Sequence, residues 1–142
     1  MQQTHLFVQL FLRETGAQTL CALSDVNLAV QRSQKYRSWL NSKRELVLSD
    51  IENCHWIKTC TGGYITEVVF HPDGTLDEFR LFDRFQTKGK WSLENGVLNI
   101  EIEKGENTYS FAVVGNAAIN IHSAVEHKNG ELHSYLKLSQ IK

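Results

Sequence analysis

A chain of 142 residues, 42% apolar and 22% charged, has the size and composition of one globular domain around a single core, far from the disordered class. Its formal net charge of −1 supplies no long-range field to draw in nucleic acid or an anionic membrane, so neither is an expected partner. No window approaches the roughly 20 apolar residues that span a bilayer.

The apolar run Leu6–Leu12 is short, no Lys or Arg precedes it, and no small-x-small site follows, so a secretory signal is not expected. Cys21, Cys54 and Cys60 are an odd number in a chain large enough to fold without staples. Reduced thiols in a cytoplasmic protein is the reading that follows.

The fold class expected is α+β in one domain, 1–142, with a helical N-terminal segment over 1–52 and an antiparallel up-and-down β-meander over 53–142. In chain order, Thr4 is placed to cap a first helix whose apolar residues Leu6, Phe7, Leu10 and Phe11 recur on one face. Gly16 interrupts it. A second helical stretch covers Gln18 to Leu40, with Tyr36 and Trp39 among its candidate core residues, and Ser24 or Asp25 placed to break it. The basic run Arg32, Lys35, Arg37, Lys43 and Arg44 reads as a solvated helix face.

From Asn53 onward, turn signals recur at short intervals: Thr61-Gly62-Gly63, Pro72-Asp73-Gly74, Glu94-Asn95-Gly96, Lys104-Gly105-Glu106, Gly115-Asn116 and Lys128-Asn129-Gly130. The runs between them predict up to eight strands: 54–60, 63–71, 75–83, 87–93, 97–103, 107–114, 118–127 and 131–139. With Asn129-Gly130 as a two-residue turn, Glu126 faces His133 and Ser123 faces Leu136. Ile121, Val125, Leu132, Leu136 and Leu138 then share a dry face, while His122, Glu126, His133, Tyr135 and Lys137 share a wet one.

The stretch Trp56, Gly63-Tyr64, Val69-Phe70, Asp73-Gly74-Thr75, Gly89-Lys90-Trp91-Ser92-Leu93 and Asn95-Gly96-Val97-Leu98 resembles small lipocalin-like (calycin-type) β-barrel domains over residues 54–139. Cys54 stands where that pattern has a Gly two residues before its first Trp. The resemblance implies a barrel or strongly curved sheet with an apolar interior pocket.

On that basis, the expected function is non-enzymatic binding of an apolar or amphipathic small molecule in the barrel, with the N-terminal helices closing one end. The candidate pocket residues are Tyr64, Phe70, Phe79, Trp91, Tyr109 and Phe111. The alternative is an interaction module in which the N-terminal helices, rich in large apolar residues, form a homodimer. No cofactor is expected.

His122, Glu126 and His133 are the candidate metal ligands. Four strand residues span about 13 Å, however, so one ion does not reach both His122 and Glu126. Cys54, His55, Cys60 and His71 lack a tight knuckle spacing and read as buried thiols and separate histidines.

Overall fold

The computed structural model describes residues 2–16 and 20–141. Its helices are α1 (Gln2–Thr15), α2 (Gln34–Asn41) and α3 (Leu48–Ile51), with 3-10 turns at Leu23–Asp25 and Leu28–Arg32 between the first two. Its strands are β1 (Lys43–Arg44), β2 (His55–Cys60), β3 (Ile65–Phe70), β4 (Thr75–Arg80), β5 (Gln86–Glu94), β6 (Val97–Lys104), β7 (Asn107–Asn116), β8 (Ile121–Lys128) and β9 (Glu131–Gln140). No helix among the described residues is long and apolar enough to cross a membrane.

Strands β2 to β9 form the expected meander, each antiparallel to the next, and β9 pairs back onto β2. The sheet is therefore a closed eight-stranded barrel, with no edge left for a foreign strand. The turn chemistry works as the sequence predicts except at Gly115-Asn116, which end β7 and pair with β1, the connection to β8 running through 117–120. Gly63, Gly74, Gly96, Gly105 and Gly130 all have positive φ, as do Asn95 and Asn129. β1 adds two residues to the end of β7 that β8 does not cover, through Lys43↔Asn116 and Arg44↔Gly115.

Tight curvature needs a missing side chain at one interior position. A Cβ on Gly89 would stand 2.4 Å from the carbonyl oxygen of Glu101 and 2.9 Å from Cγ1 of Ile102, on the strand next door. Gly89→Ala should cost about 2 kcal/mol, because backbone rather than a flexible side chain has to give way. Urea denaturation measures this, and a midpoint matching the wild type would refute it.

The helical reading of the N-terminal third is partly corrected. α1 starts at Gln2, so Thr4 lies inside it rather than capping it. The expected start of the second stretch at Gln18 lies outside the described residues. From Leu23 that stretch divides into two 3-10 turns and α2, whose N-terminus is capped by Ser33 Oγ accepting from the Tyr36 N–H at 3.1 Å.

The helices α1 and α2 do not close an end of the barrel. They pack on its outer wall, where Val8, Leu10, Phe11, Tyr36 and Trp39 bury against Val114, Val125 and Tyr135. Of the large apolar residues that suggest a dimer interface, Val8, Leu10, Phe11, Tyr36 and Trp39 are buried within the chain, whereas Leu6, Phe7, Leu28 and Val30 are only partly so. The end is closed instead by Leu46 and by Ile51 of α3, which join Trp56, Phe70, Trp91, Leu98, Val113 and Leu138 in the interior core.

The last hairpin carries a second correction. Lys128 faces Glu131 and His127 faces Leu132 as expected, but a β-bulge follows, and Glu126 pairs with Ser134 instead of His133. The extra residue is His133. Beyond it the register is displaced by one, so Ala124 faces Leu136 and His122 faces Leu138. His122, Ala124 and Glu126 point into the barrel, whereas Val125 and Tyr135 point out beneath the helices. A division into one dry and one wet face fails because both faces of this hairpin are covered.

Candidate functional site

Hairpin alternation sorts the connections to two ends. The loops 61–64, 81–85, 105–106 and 129–130 surround the end opposite α3, which is the mouth. The interior changes character along the axis. The closed end is packed with aromatic rings in edge contact: Trp56 on Phe70 with centroids 5.3 Å apart, and Phe70 on Trp91 at 6.3 Å. Towards the mouth the interior is ionic.

Lys58 of β2 reaches inward between two carboxylates from other strands. Its Nζ lies 2.5 Å from Glu78 Oε2 and 3.8 Å from Glu126 Oε2. It also stands 5.2 Å from the ring centre of Phe111. Glu78 is fully engaged: Thr66 Oγ1 donates to one oxygen at 2.9 Å and Thr87 Oγ1 to the other at 3.0 Å. Burial pushes the Glu78 carboxyl up, but the Lys58 ammonium and these bonds outweigh it and hold it below the usual carboxylate range.

Glu126 is bound more loosely. Ser134 Oγ donates to its Oε1 at 3.2 Å, and the Nε2 of the bulged His133 lies 3.9 Å from that oxygen. Glu78 is 5% exposed and Glu126 6%. His133 in turn meets the ring of Tyr109 at 5.7 Å.

The rim is apolar. Phe82 is 92% exposed, Tyr64 70% and Phe85 50%, with Ile65, Leu81 and Leu132 partly exposed beside them. The loop carrying Phe82 is braced rather than loose. Arg80 forks onto Asp83 through Nε at 3.1 Å and Nη2 at 2.7 Å, and the Phe85 N–H donates to Asp83 Oδ1 at 3.0 Å. Arg84 bonds Glu67 at 3.0 Å. The loop therefore presents Phe82 outward by construction.

The sequence-predicted pocket residues fall in three places. Phe70, Trp91 and Phe111 lie in the filled interior core, and Tyr109 packs against it on the mouth side. Tyr64 sits on the rim, and Phe79 lies on the outer wall with the Arg84 guanidinium 4.8 Å from its ring centre. Of the candidate metal ligands, Glu126 and His133 meet near the mouth, whereas His122 is at the closed end. There its Nδ1 accepts the Asn116 N–H at 2.9 Å and its Nε2 meets Gln140 Oε1 at 2.6 Å.

Cys54 and Cys60 pack against the interior and are free thiols, while His55 pairs outside with Glu67 at 2.8 Å and His71 with Asp77 at 2.8 Å. No group of three metal-ligating side chains comes together among the described residues.

Lys58, Glu78, Thr66 and Thr87 escaped the sequence reading. The available signal was parity, since Lys58 alternates with Trp56 and Cys60, Glu78 with Leu76, and Thr66 with Val68 and Phe70.

A broad groove of about 1340 Å³ runs between α1 and the barrel wall, with Leu6 and Leu23 on one side and Asn99, Ser110 and His127 on the other, and two of the predicted pocket residues, Trp91 and Phe111, contribute to its lining. It contains no buried ion pair.

The fold and the site together define a small closed antiparallel barrel with an externally docked helical segment, a plugged end and a charged mouth. No family model, curated protein or solved structure matches the chain.

Proposed function

We propose that this chain is a non-enzymatic binding protein of lipocalin-like type that receives an amphipathic small molecule at the mouth of its barrel. An eight-stranded antiparallel barrel with an N-terminal helix fits that fold. The observation that carries the reading is the Lys58–Glu78–Glu126 cluster beneath an exposed aromatic rim.

Removing a charged side chain from water costs several kcal/mol per ion, and well-packed apolar residues would serve stability at least as well. A chain that fills the other half of its barrel with Trp, Phe and Leu keeps ions here for another use. Exposed Phe82, Tyr64 and Phe85 complement this, because an apolar ligand body would cover surface now facing water.

The test uses the neutral dye N-phenyl-1-naphthylamine together with native mass spectrometry of freshly purified protein. Dye fluorescence should rise on binding, and the double variant Tyr64→Ser/Phe82→Ser should lower dye affinity at least about fivefold. Being exposed, these two positions should change stability by no more than about 0.5 kcal/mol each. Absence of both dye uptake and bound mass would sink the proposal.

A further inference from the structure

We infer that the ligand of this mouth carries a cationic nitrogen on its apolar body, with Glu126 as the group that receives the nitrogen. The inference rests on the reading of the mouth as a ligand site and adds the chemistry of the head group.

The charge balance comes first. One ammonium, Lys58, faces two carboxylates, Glu78 and Glu126, so these three groups leave one negative charge over. That charge belongs to Glu126, because Lys58 is committed to Glu78: the contact is 2.5 Å on that side against 3.8 Å on the other. An anionic head group would have to enter beside two carboxylates and find the single ammonium already engaged. A cation would complete the balance.

Hydrogen-bond capacity points the same way. A carboxylate accepts about four bonds. Glu78 receives Thr66, Thr87 and Lys58. Glu126 is equally buried, yet its direct hydrogen bond is the 3.2 Å contact from Ser134, with Lys58 Nζ at 3.8 Å and His133 Nε2 at 3.9 Å standing further off. Glu126 is thus less engaged than Glu78 and keeps capacity for a charge-assisted bond from a ligand N–H.

The surroundings suit a cation as well. Phe111 lies directly across from Glu126 in the β7–β8 ladder, and Tyr109 sits two residues nearer the mouth on the same strand. Aromatic faces attract ammonium groups, as Phe111 already does for Lys58 and Tyr109 for Lys128. Above them, Leu132 and the exposed rings of Tyr64, Phe82 and Phe85 offer surface for an alkyl or aromatic body.

The experiment is calorimetric titration at pH 8 with three probes of equal chain length, decylamine, decanol and decanoate, each below its aggregation concentration. Decylamine should bind at least tenfold more tightly than either of the others. Glu126→Gln should weaken decylamine about tenfold and decanol no more than about twofold. Glu126→Asp, which keeps the charge and shortens the reach, should fall between. The comparison of probes on the wild-type protein needs no variant to fold.

Decanoate binding as tightly as decylamine, or a Glu126→Gln protein with undiminished amine affinity, would overturn the head-group assignment while leaving the mouth as a binding site. Failure of all three probes, together with failure of the naphthylamine dye, would overturn the binding-site reading itself.

Discussion

Replacing Glu14 with Gln should lower stability by about 3 kcal/mol at neutral pH, because it breaks a buried ionic contact that pins the helical segment to the barrel. Glu14 ends α1 beneath four donors. Tyr135 Oη of β9 donates at 2.5 Å, Trp39 Nε1 of α2 at 2.8 Å and Lys43 Nζ of β1 at 2.9 Å, with Lys137 at 3.8 Å. One carboxylate thus ties two helices and two strands together. Burial pushes its pKa up, but the bonds from Tyr135 and Lys43 more than reverse this and hold it at about 2, against an ordinary 4.5. The same contact, with burial, pushes the Tyr135 phenol up.

The pH dependence follows from that depression. Because the folded value lies below the unfolded one, the stabilisation is complete above pH 4.5 and is lost as pH falls towards 2. Urea midpoints of wild type and Glu14→Gln should therefore differ most at pH 7 and converge in acid. Hydrogen exchange at neutral pH should show α1 and α2 opening in the variant while β2 to β6 stay protected. A difference that stays constant down to pH 2 would show that Glu14 contributes packing alone.

The barrel strands were legible because most of the turns need residues that tolerate positive φ, and Asn-Gly and Asp-Gly announce themselves locally. The first strand, predicted at 54–60, is observed at His55–Cys60, and the last, predicted at 131–139, at Glu131–Gln140. The bulge at His133 was not legible. It depends on pairing between two strands, and nothing local marks His133 as the extra residue.

That single residue put His122 and Glu126 on the interior face with Leu136 and Leu138 instead of on the outer face with Tyr135, which moved the candidate site from the surface to the interior. Lys58 and Glu78 stayed hidden for a related reason. A charged residue on a strand is ordinarily assigned to water, and only the closure of the barrel turns its parity into burial. The docking of α1 was likewise out of reach, since Glu14 meets Tyr135 across 121 positions of sequence.

Trp56→Ala should be the most damaging single truncation, costing about 4 kcal/mol, which for a domain of this size is a fall in Tm of about 12 °C. Trp56 is fully buried and is the keystone of the closed end. Its ring meets Phe70 at 5.3 Å and His122 at 5.2 Å, and its Nε1 donates to the Asp50 carbonyl of α3 at 3.1 Å. Asp50 is itself fixed by a fork from Arg44 at 3.0 and 3.2 Å and by the Val47 N–H at 2.8 Å. Trp56→Phe keeps most of the packing and loses the indole bond, so it should cost only about 1.5 kcal/mol.

The consequence for His122 makes the two variants separable by pH. Burial lowers the pKa of His122, and its Nδ1 accepts a backbone N–H, so the fold holds the ring neutral with its proton on the Nε2 facing Gln140. The neutral ring stabilises the fold fully above its unfolded value of about 6.5, and that contribution fades as pH falls through the depressed folded value. Truncating Trp56 admits water to this end and brings His122 back towards ordinary titration. Trp56→Ala should then lose less stability than Trp56→Phe between pH 7 and pH 5. Parallel losses in the two variants would mean that His122 is shielded by Gln140 and the backbone alone, and that the indole closes the barrel without governing the charge behind it.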